Sequence, residues 1–184
     1  MSEASLNKVD LDRSSLPDRT RAVLNRGGWG NPDVLLVETS SGSVVVKDYS
    51  PRSPFVRRWL GPWMLRREAR AYRCLEGVDA VPRLLGVLDS AALIFEYRSG
   101  ILLSRSLAGR LPATFLPELQ GAIAEMHRRG VVHLDLRHRS NILAGDDGRP
   151  VVLDFASAMR GRIVVFLLGW LDRRALRKWR VRLL

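Results

Sequence analysis

The sequence predicts an α+β fold, and three patterns predict it. Five short runs of apolar and β-branched residues fall between positions 20 and 97, separated by Gly, Ser and Pro turns. Two longer stretches, 55–75 and 112–129, repeat apolar residues at helical spacing. Between Met126 and Ala156 a helix end, a short strand, a polar loop and a Gly/Asp turn lead into a second apolar strand. The 184 residues allow one domain, or one domain in two small lobes, with a genuine core. A content of 46% hydrophobic and 27% charged residues fits a folded chain.

In chain order, residues 1–19 read as a loosely held arm with little to bury. Ala22-Val23-Leu24 forms a first strand and runs into the glycine cluster Gly27-Gly28-Trp29-Gly30. A second strand over 33–39 and a third over 43–49 flank the turn Ser40-Ser41-Gly42 and make a hairpin. Pro51 to Pro54 is a linker. A helix follows over 55–75, with Trp59, Leu60, Trp63, Met64, Ala71, Tyr72 and Leu75 at helical spacing and a kink expected at Gly61-Pro62. Strands over 81–88 and 91–97 complete the set of five, and residues 101–107 read as a short helix. The helix over 112–129 presents Phe115, Leu116, Leu119, Ile123 and Met126 on one face and stops at Gly130. The tail is apolar over 163–171 and basic over 172–184, with Trp170 and Trp179 among arginines.

The chemistry-bearing residues concentrate in the stretch from Met126 to Ala156. His133, Asp135, Asn141 and Asp154 gather near one end of a small hairpin. One carboxylate lies in the loop, an amide follows six residues later, and a second carboxylate ends the returning strand. Such a set suits accepting a proton from a hydroxyl and holding a divalent cation through oxygen ligands. Asp146-Asp147-Gly148 is ordinary turn chemistry.

Met126 to Leu136, M-H-R-R-G-V-V-H-L-D-L, resembles the approach to the catalytic loop of the protein-kinase superfamily, and Leu153-Asp154-Phe155-Ala156 resembles its metal-binding D-F-G segment with Ala in the Gly position. The variety most resembled is the small bacterial branch of lipopolysaccharide (Kdo-type) and RIO-like kinases. Asp135 to Asn141 spans six residues where the family pattern has five, so one inserted residue separates them and Ser140 stands as an alternative to Asn141. The resemblance implies a minimal two-lobed fold. Its N-lobe, a five-stranded antiparallel sheet, covers 20–97; a reduced, mostly helical C-lobe covers 98–160; and a basic amphipathic helix covers 161–184. It further implies that Lys47, ending Val44-Val45-Val46-Lys47, reaches nucleotide phosphates, that Glu68 pairs with Lys47, and that Gly28 and Gly30 cover the nucleotide. Asp33 stands where a third glycine is expected. Glu96 and Tyr97 become the hinge that meets adenine, Asp135 receives the acceptor hydroxyl, and Asn141 and Asp154 hold Mg²⁺. His133 becomes a brace for the loop.

The implied activity is transfer of the γ-phosphate of ATP to a hydroxyl acceptor: an envelope sugar, a lipid-linked sugar or a protein. With 28 residues left after Ala156, a peptide-docking platform is not expected. The rival reading is a pseudokinase, a nucleotide- or membrane-binding module that keeps the fold without turnover. The net charge of +11 calls for an anionic partner, either a membrane surface or the acceptor, and nucleic acid ranks last because it rests on charge alone. One cysteine, Cys74, excludes an internal disulfide framework. A polar, mixed-charge N-terminus without a signal pattern leads to the expectation of a cytoplasmic protein, peripheral on the inner face of the membrane. Oligomeric state is left open.

Overall fold

The computed structural model describes residues 9–183. These fall into two compact units: the chain up to Ala69 together with Arg83–Tyr97, and Arg70–Pro82 together with the chain from Arg98 on.

The first unit is built on a five-stranded antiparallel sheet: β1 (Thr20–Asn25), β2 (Asp33–Thr39), β3 (Gly42–Asp48), β4 (Leu84–Asp89) and β5 (Ala92–Glu96), in the spatial order β1-β2-β3-β5-β4. Side chains alternate across a strand, so Val44 and Val46 of β3 share one face while Lys47 takes the other. The valine face packs with Leu16, Val37, Ala92 and Ile94 in a buried cluster, closed by Val9, Leu11, Leu35, Leu85 and Leu88. Lys47 is thereby turned away from this apolar cluster.

The segment before β1 differs from the expected loose arm. Residues 1–8 lie outside the described residues. From Val9 on, Leu16 is buried in α1 (Leu16–Arg19), and the Arg13 guanidinium meets Asp48 at 2.8 Å and Asp89 at 2.7 Å. One arginine between the carboxylates of two strands, with Val9, Leu11 and Leu16 against the core, fastens a segment whose composition alone offered little to bury.

The expected helix over 55–75 divides where the Gly-Pro pair stands. A wide turn over Val56–Leu60 leads into α2 (Gly61–Cys74), and Pro62 falls in the first turn, where its missing N–H leaves no helical bond unmade. Gly61 is there for space: a Cβ on it would stand 2.7 Å from Cγ of Tyr49, itself buried.

The second unit carries two helices, α3 (Phe115–Arg128) and α4 (Arg162–Leu183), and two small sheets. β7 (Val131–Val132) pairs with β10 (Met159–Arg160), while β6 (Gly100–Leu102), β8 (Ile142–Gly145) and β9 (Pro150–Val152) form the other. This unit is therefore less helical than expected. The stretch 101–107, read as a short helix, begins as strand β6 because the open edge of β8 offers Ile101 and Leu102 backbone partners that solvent would otherwise have to supply. Only Arg105–Leu107 makes a helical turn. Phe115, Leu119, Ile123 and Met126 of α3 are buried, as their spacing requires.

Helix propensity alone makes Gly61→Ala stabilising by about 1 kcal/mol. The contact with Tyr49 reverses the sign, and urea unfolding of the variant is expected to show a net loss of about 1–3 kcal/mol; a gain in stability would mean that the Tyr49 ring yields.

Candidate functional site

In the first unit the site residues centre on β3. Lys47 is 8% exposed, and its Nζ lies 2.5 Å from Oε1 of Glu68, which is 2% exposed on α2. Nζ also stands 5.8 Å from the centroid of the Phe95 ring. The expected pairing of Lys47 with Glu68 is thus present, 21 residues apart in sequence. Removing either partner would leave the other as an uncompensated buried charge, which is strongly destabilising.

Between β1 and β2 the glycine cluster forms an open loop. Gly28 and Gly30 have nothing near the position of a Cβ, whereas a Cβ on Gly27 would stand 2.2 Å from the Asn31 carbonyl oxygen. Gly27, not its neighbours, is the sterically required member. The Gly27 amide donates to Asp33 Oδ1 at 2.8 Å, and the Arg52 guanidinium bonds the same carboxylate. Asp33, in the place of a third glycine, is therefore the clasp of the loop. Glu96 ends β5, its carboxylate accepting from the Arg83 amide at 3.0 Å, and Tyr97 follows at the edge of the unit.

In the second unit, α3 stops at Gly130 (φ +78°) and β7 delivers His133. His133 is fully buried. Its Nδ1 accepts from the Asp135 amide at 3.3 Å, so the proton sits on Nε2, which donates to the Leu153 carbonyl at 2.9 Å. Burial holds the imidazole below its ordinary pKa near 6.5, against the smaller upward pulls of the Leu153 carbonyl and of Asp172, Asp154 and Asp135. His133 is thus a neutral strut, the bracing role the resemblance implied.

Asn141 is buried, and its Nδ2 donates both to the Asp135 carbonyl and to Asp135 Oδ2, each at 2.9 Å. Ser140 donates its hydroxyl to Asn141 Oδ1 at 3.0 Å. The inserted residue is absorbed in the turn over Arg139–Asn141, so Asn141 rather than Ser140 faces Asp135. The Leu153 amide donates to the Asn141 carbonyl at 2.9 Å, which brings the end of β9 to the loop just before Asp154. Asp154 adopts the left-handed conformation (φ 61°) and accepts from the Ala156 amide at 3.3 Å. Phe155 turns inward, its ring 4.7 Å from that of His133 and 5.0 Å, edge-on, from that of Tyr72. Asp135 and Asp154 carry carboxylate oxygens and Asn141 an amide oxygen, the class of hard ligand that Mg²⁺ takes. Among the described residues no three His, Cys, Asp or Glu side chains lie together as a metal site.

Two features escaped the sequence reading. Asp172, buried on α4, accepts from the His133 amide at 2.8 Å, from the Leu134 amide at 2.9 Å and bonds the His127 ring at 3.0 Å. Gly169, one turn earlier, leaves room for that ring, since a Cβ there would stand 3.2 Å from His127 Cε1. The available signal was that Asp172 is the lone acid in a helix otherwise crowded with arginine. The second feature is a cation cluster beside the loop. The Lys178 ammonium is held below its ordinary value, first by desolvation and then by Arg182, Arg137 and Arg105. Trp179, next to Lys178, donates its indole N–H to the Leu136 carbonyl at 2.8 Å, which sets this end of α4 against the loop that bears Arg137.

No protein-family model matches the chain. Over 156 residues, 76% of this chain, it is 28% identical to a protein named serine/threonine-protein kinase C from Synechocystis sp.. The similarity is to a protein kinase. The chain spans about 29% of that protein's length. This similarity suggests a protein-kinase-like relationship and goes no finer.

Asp172→Ala leaves two buried amides and an imidazole without their acceptor, and is expected to destabilise by about 3–5 kcal/mol in chemical denaturation, with Asp172→Asn intermediate. A loss under about 1 kcal/mol would show that the carboxylate does not hold the loop. Because the folded His133 resists protonation while the unfolded chain accepts it, stability is fully present above pH ~6.5 and is lost as pH falls below it. Urea unfolding from pH 7.5 down to about 5 should therefore be steeper in the wild type than in His133→Gln; parallel slopes would remove His133 as the cause.

Proposed function

We propose that the chain is an ATP-dependent phosphotransferase that moves the γ-phosphate to a hydroxyl acceptor. The observation that carries this reading is the buried Lys47–Glu68 pair. In a chain with three lysines against a large excess of arginine, one lysine is sequestered at 2.5 Å from a carboxylate and turned away from the apolar core. In this reading Lys47, held by Glu68, receives nucleotide phosphates, the amides of the loop around Gly28 and Gly30 approach them, and the backbone at Glu96 and Tyr97 meets the base. Asn141 and Asp154 would hold Mg²⁺, which when bound neutralises charge on the phosphates. Asp135, oriented by the Asn141 amide, accepts or orients the acceptor's hydroxyl proton. Chemistry of this type depends on positioning and charge neutralisation.

For the acceptor class, the support is charge. Arg182, Arg137 and Arg105 each disfavour the ammonium of Lys178, whose neighbour Trp179 bonds the Leu136 carbonyl in the Asp135 loop, and an anionic acceptor relieves that crowding of charge. We assign an acidic sugar or lipid-linked sugar of the cell envelope, phosphorylated from the cytoplasmic side by an enzyme of the Kdo-type or RIO-like kind. A protein serine or threonine, the acceptor class in the name of the Synechocystis relative, is the second choice. Ala156 in place of glycine and the missing third glycine favour the other reading, a pseudokinase that binds nucleotide without turnover.

The test is Mg²⁺-dependent ATP binding and turnover in the wild type, Lys47→Met, Asp135→Asn and Asp154→Ala. Asp135→Asn is expected to lower turnover at least about a hundredfold while nucleotide affinity changes only a few-fold. Binding without turnover on any envelope sugar or protein acceptor would establish the pseudokinase reading. Absence of nucleotide binding would overturn both.

A further inference from the structure

Helix α4 has two faces. Inward, it buries Gly169, Asp172, Ala175, Leu176, Trp179 and Leu183. Outward, the exposed positions 162, 163, 166, 167, 170, 173, 174, 177, 180 and 181 recur at helical spacing and form one continuous stripe along its 22 residues, about 33 Å. The chemistry of that stripe changes along the axis rather than around it. Ile163, Phe166, Leu167 and Trp170 are 75%, 83%, 57% and 45% exposed. Beyond Trp170 the same stripe is Arg173, Arg174, Arg177 and Arg180, closing on Val181 (83% exposed), and Arg162 stands ahead of the apolar patch.

Beside the basic half, between α3 and α4, runs a cavity of about 610 Å³, edged by Arg128, Arg173, Arg177 and Arg180, floored by Ile123 and Leu176, and without a carboxylate in its lining. Arg128 is paired with Glu125 and Arg180 bonds Gln120, but Arg173 and Arg177 make no ion pair among the described residues. An apolar patch that water does not welcome thus adjoins a row of cations that lacks counter-ions.

We infer that this face docks on an anionic phospholipid bilayer, with Ile163, Phe166 and Leu167 entering the acyl boundary, Trp170 at the interface, and the arginines of the groove against the lipid phosphates. An axial change from apolar to basic suits a helix that meets the surface obliquely, one end dipping and the other held at the headgroups. Tryptophan prefers the depth between those two environments. Arginine binds phosphate oxygens through two N–H groups at once. Spanning is not involved, because no helix among the described residues is long and apolar enough to cross a membrane. A second copy of the chain would bring a matching apolar patch but also the same arginines, so a self-pairing face would stack like charges. An anionic bilayer answers both halves of the stripe. None of these residues has a role in the phosphotransfer proposed above.

The experiment is co-sedimentation of the full chain with vesicles of phosphatidylcholine alone and with about 30% phosphatidylglycerol added. The expected result is binding at least about tenfold tighter to the anionic vesicles, weakened by salt. Arg173→Gln/Arg177→Gln/Arg180→Gln should lose roughly a hundredfold, and Phe166→Ser/Leu167→Ser about tenfold or more, each with an unchanged far-ultraviolet circular dichroism spectrum. Three outcomes would overturn the inference. The first is no preference for anionic vesicles, or variants that bind like the wild type. The second is a lipid-free dimer in sedimentation that Phe166→Ser/Leu167→Ser disperses, which assigns the face to a second copy. The third is duplex DNA binding that the arginine variant abolishes while vesicle binding persists.

Discussion

Two consecutive backbone amides converge on one carboxylate in the second unit, and the local geometry of the loop depends on that convergence. The amides of His133 and Leu134 both reach Asp172, and just after them the chain turns through Leu134 in a left-handed conformation (φ 69°), uncommon for a bulky side chain. Such a residue costs of order 1–3 kcal/mol and persists only where its surroundings insist on it. Asp172 supplies the insistence, since a buried anion must find donors and these two, with the His127 ring, are the ones within reach. Asp135 follows directly, so its position is set by a carboxylate 37 residues downstream. Trp179, on the same helix face, fastens the next carbonyl, that of Leu136.

The remaining site residues of that unit hang from the same frame. His133, kept neutral by burial, links β7 to the Leu153 carbonyl, and Asn141 takes the Leu153 amide on its own carbonyl while its side chain steadies Asp135. Phe155 wedges between His133 and Tyr72, and the chain reverses at Asp154 in a second left-handed residue. Two left-handed residues, Leu134 and Asp154, thus flank one hydrogen-bonded core. In the first unit the equivalent constraint is the Lys47–Glu68 pair. A buried ion pair adds little net stability over an apolar pair of similar volume, while removing one partner strands the other charge.

Helix α4 does two jobs with opposite faces. Its inner face, with Asp172 and Trp179, is anchored to the loop; its outer face carries exposed apolar side chains and arginines. Anything that binds the outer face therefore presses on the element that positions Asp135. The first unit also exposes Trp59 and Trp63 among arginines, with the Arg67 guanidinium 5.8 Å from the Trp63 ring, so the basic and aromatic composition of the chain is expressed on more than one surface.

Local pattern made much of this legible. Short apolar and β-branched runs between turn residues located the strands, helical spacing located α3, and the residues from Met126 to Ala156 named Asp135, Asn141 and Asp154, because turns, strands and loop chemistry are short-range properties. Lys47 and Glu68 were nameable as partners only through a family likeness, since nothing local in Val46-Lys47-Asp48 says which carboxylate 21 residues on will meet it. What only tertiary structure decided depends on groups distant in sequence. Residues 101 and 102 became strand because β8 had an open edge; Asp33 became the clasp of the glycine loop because Arg52 and the Gly27 amide lie beside it; Arg13 tied down a segment of unremarkable composition. The same holds for Asn141 and Ser140, between which one inserted residue left the sequence ambiguous: in the fold it is Asn141 whose side chain bonds Asp135. Asp172 is the clearest case. In sequence it is one acid among arginines, and its meaning lies in burial, because a carboxylate removed from water takes whichever donors the fold brings to it.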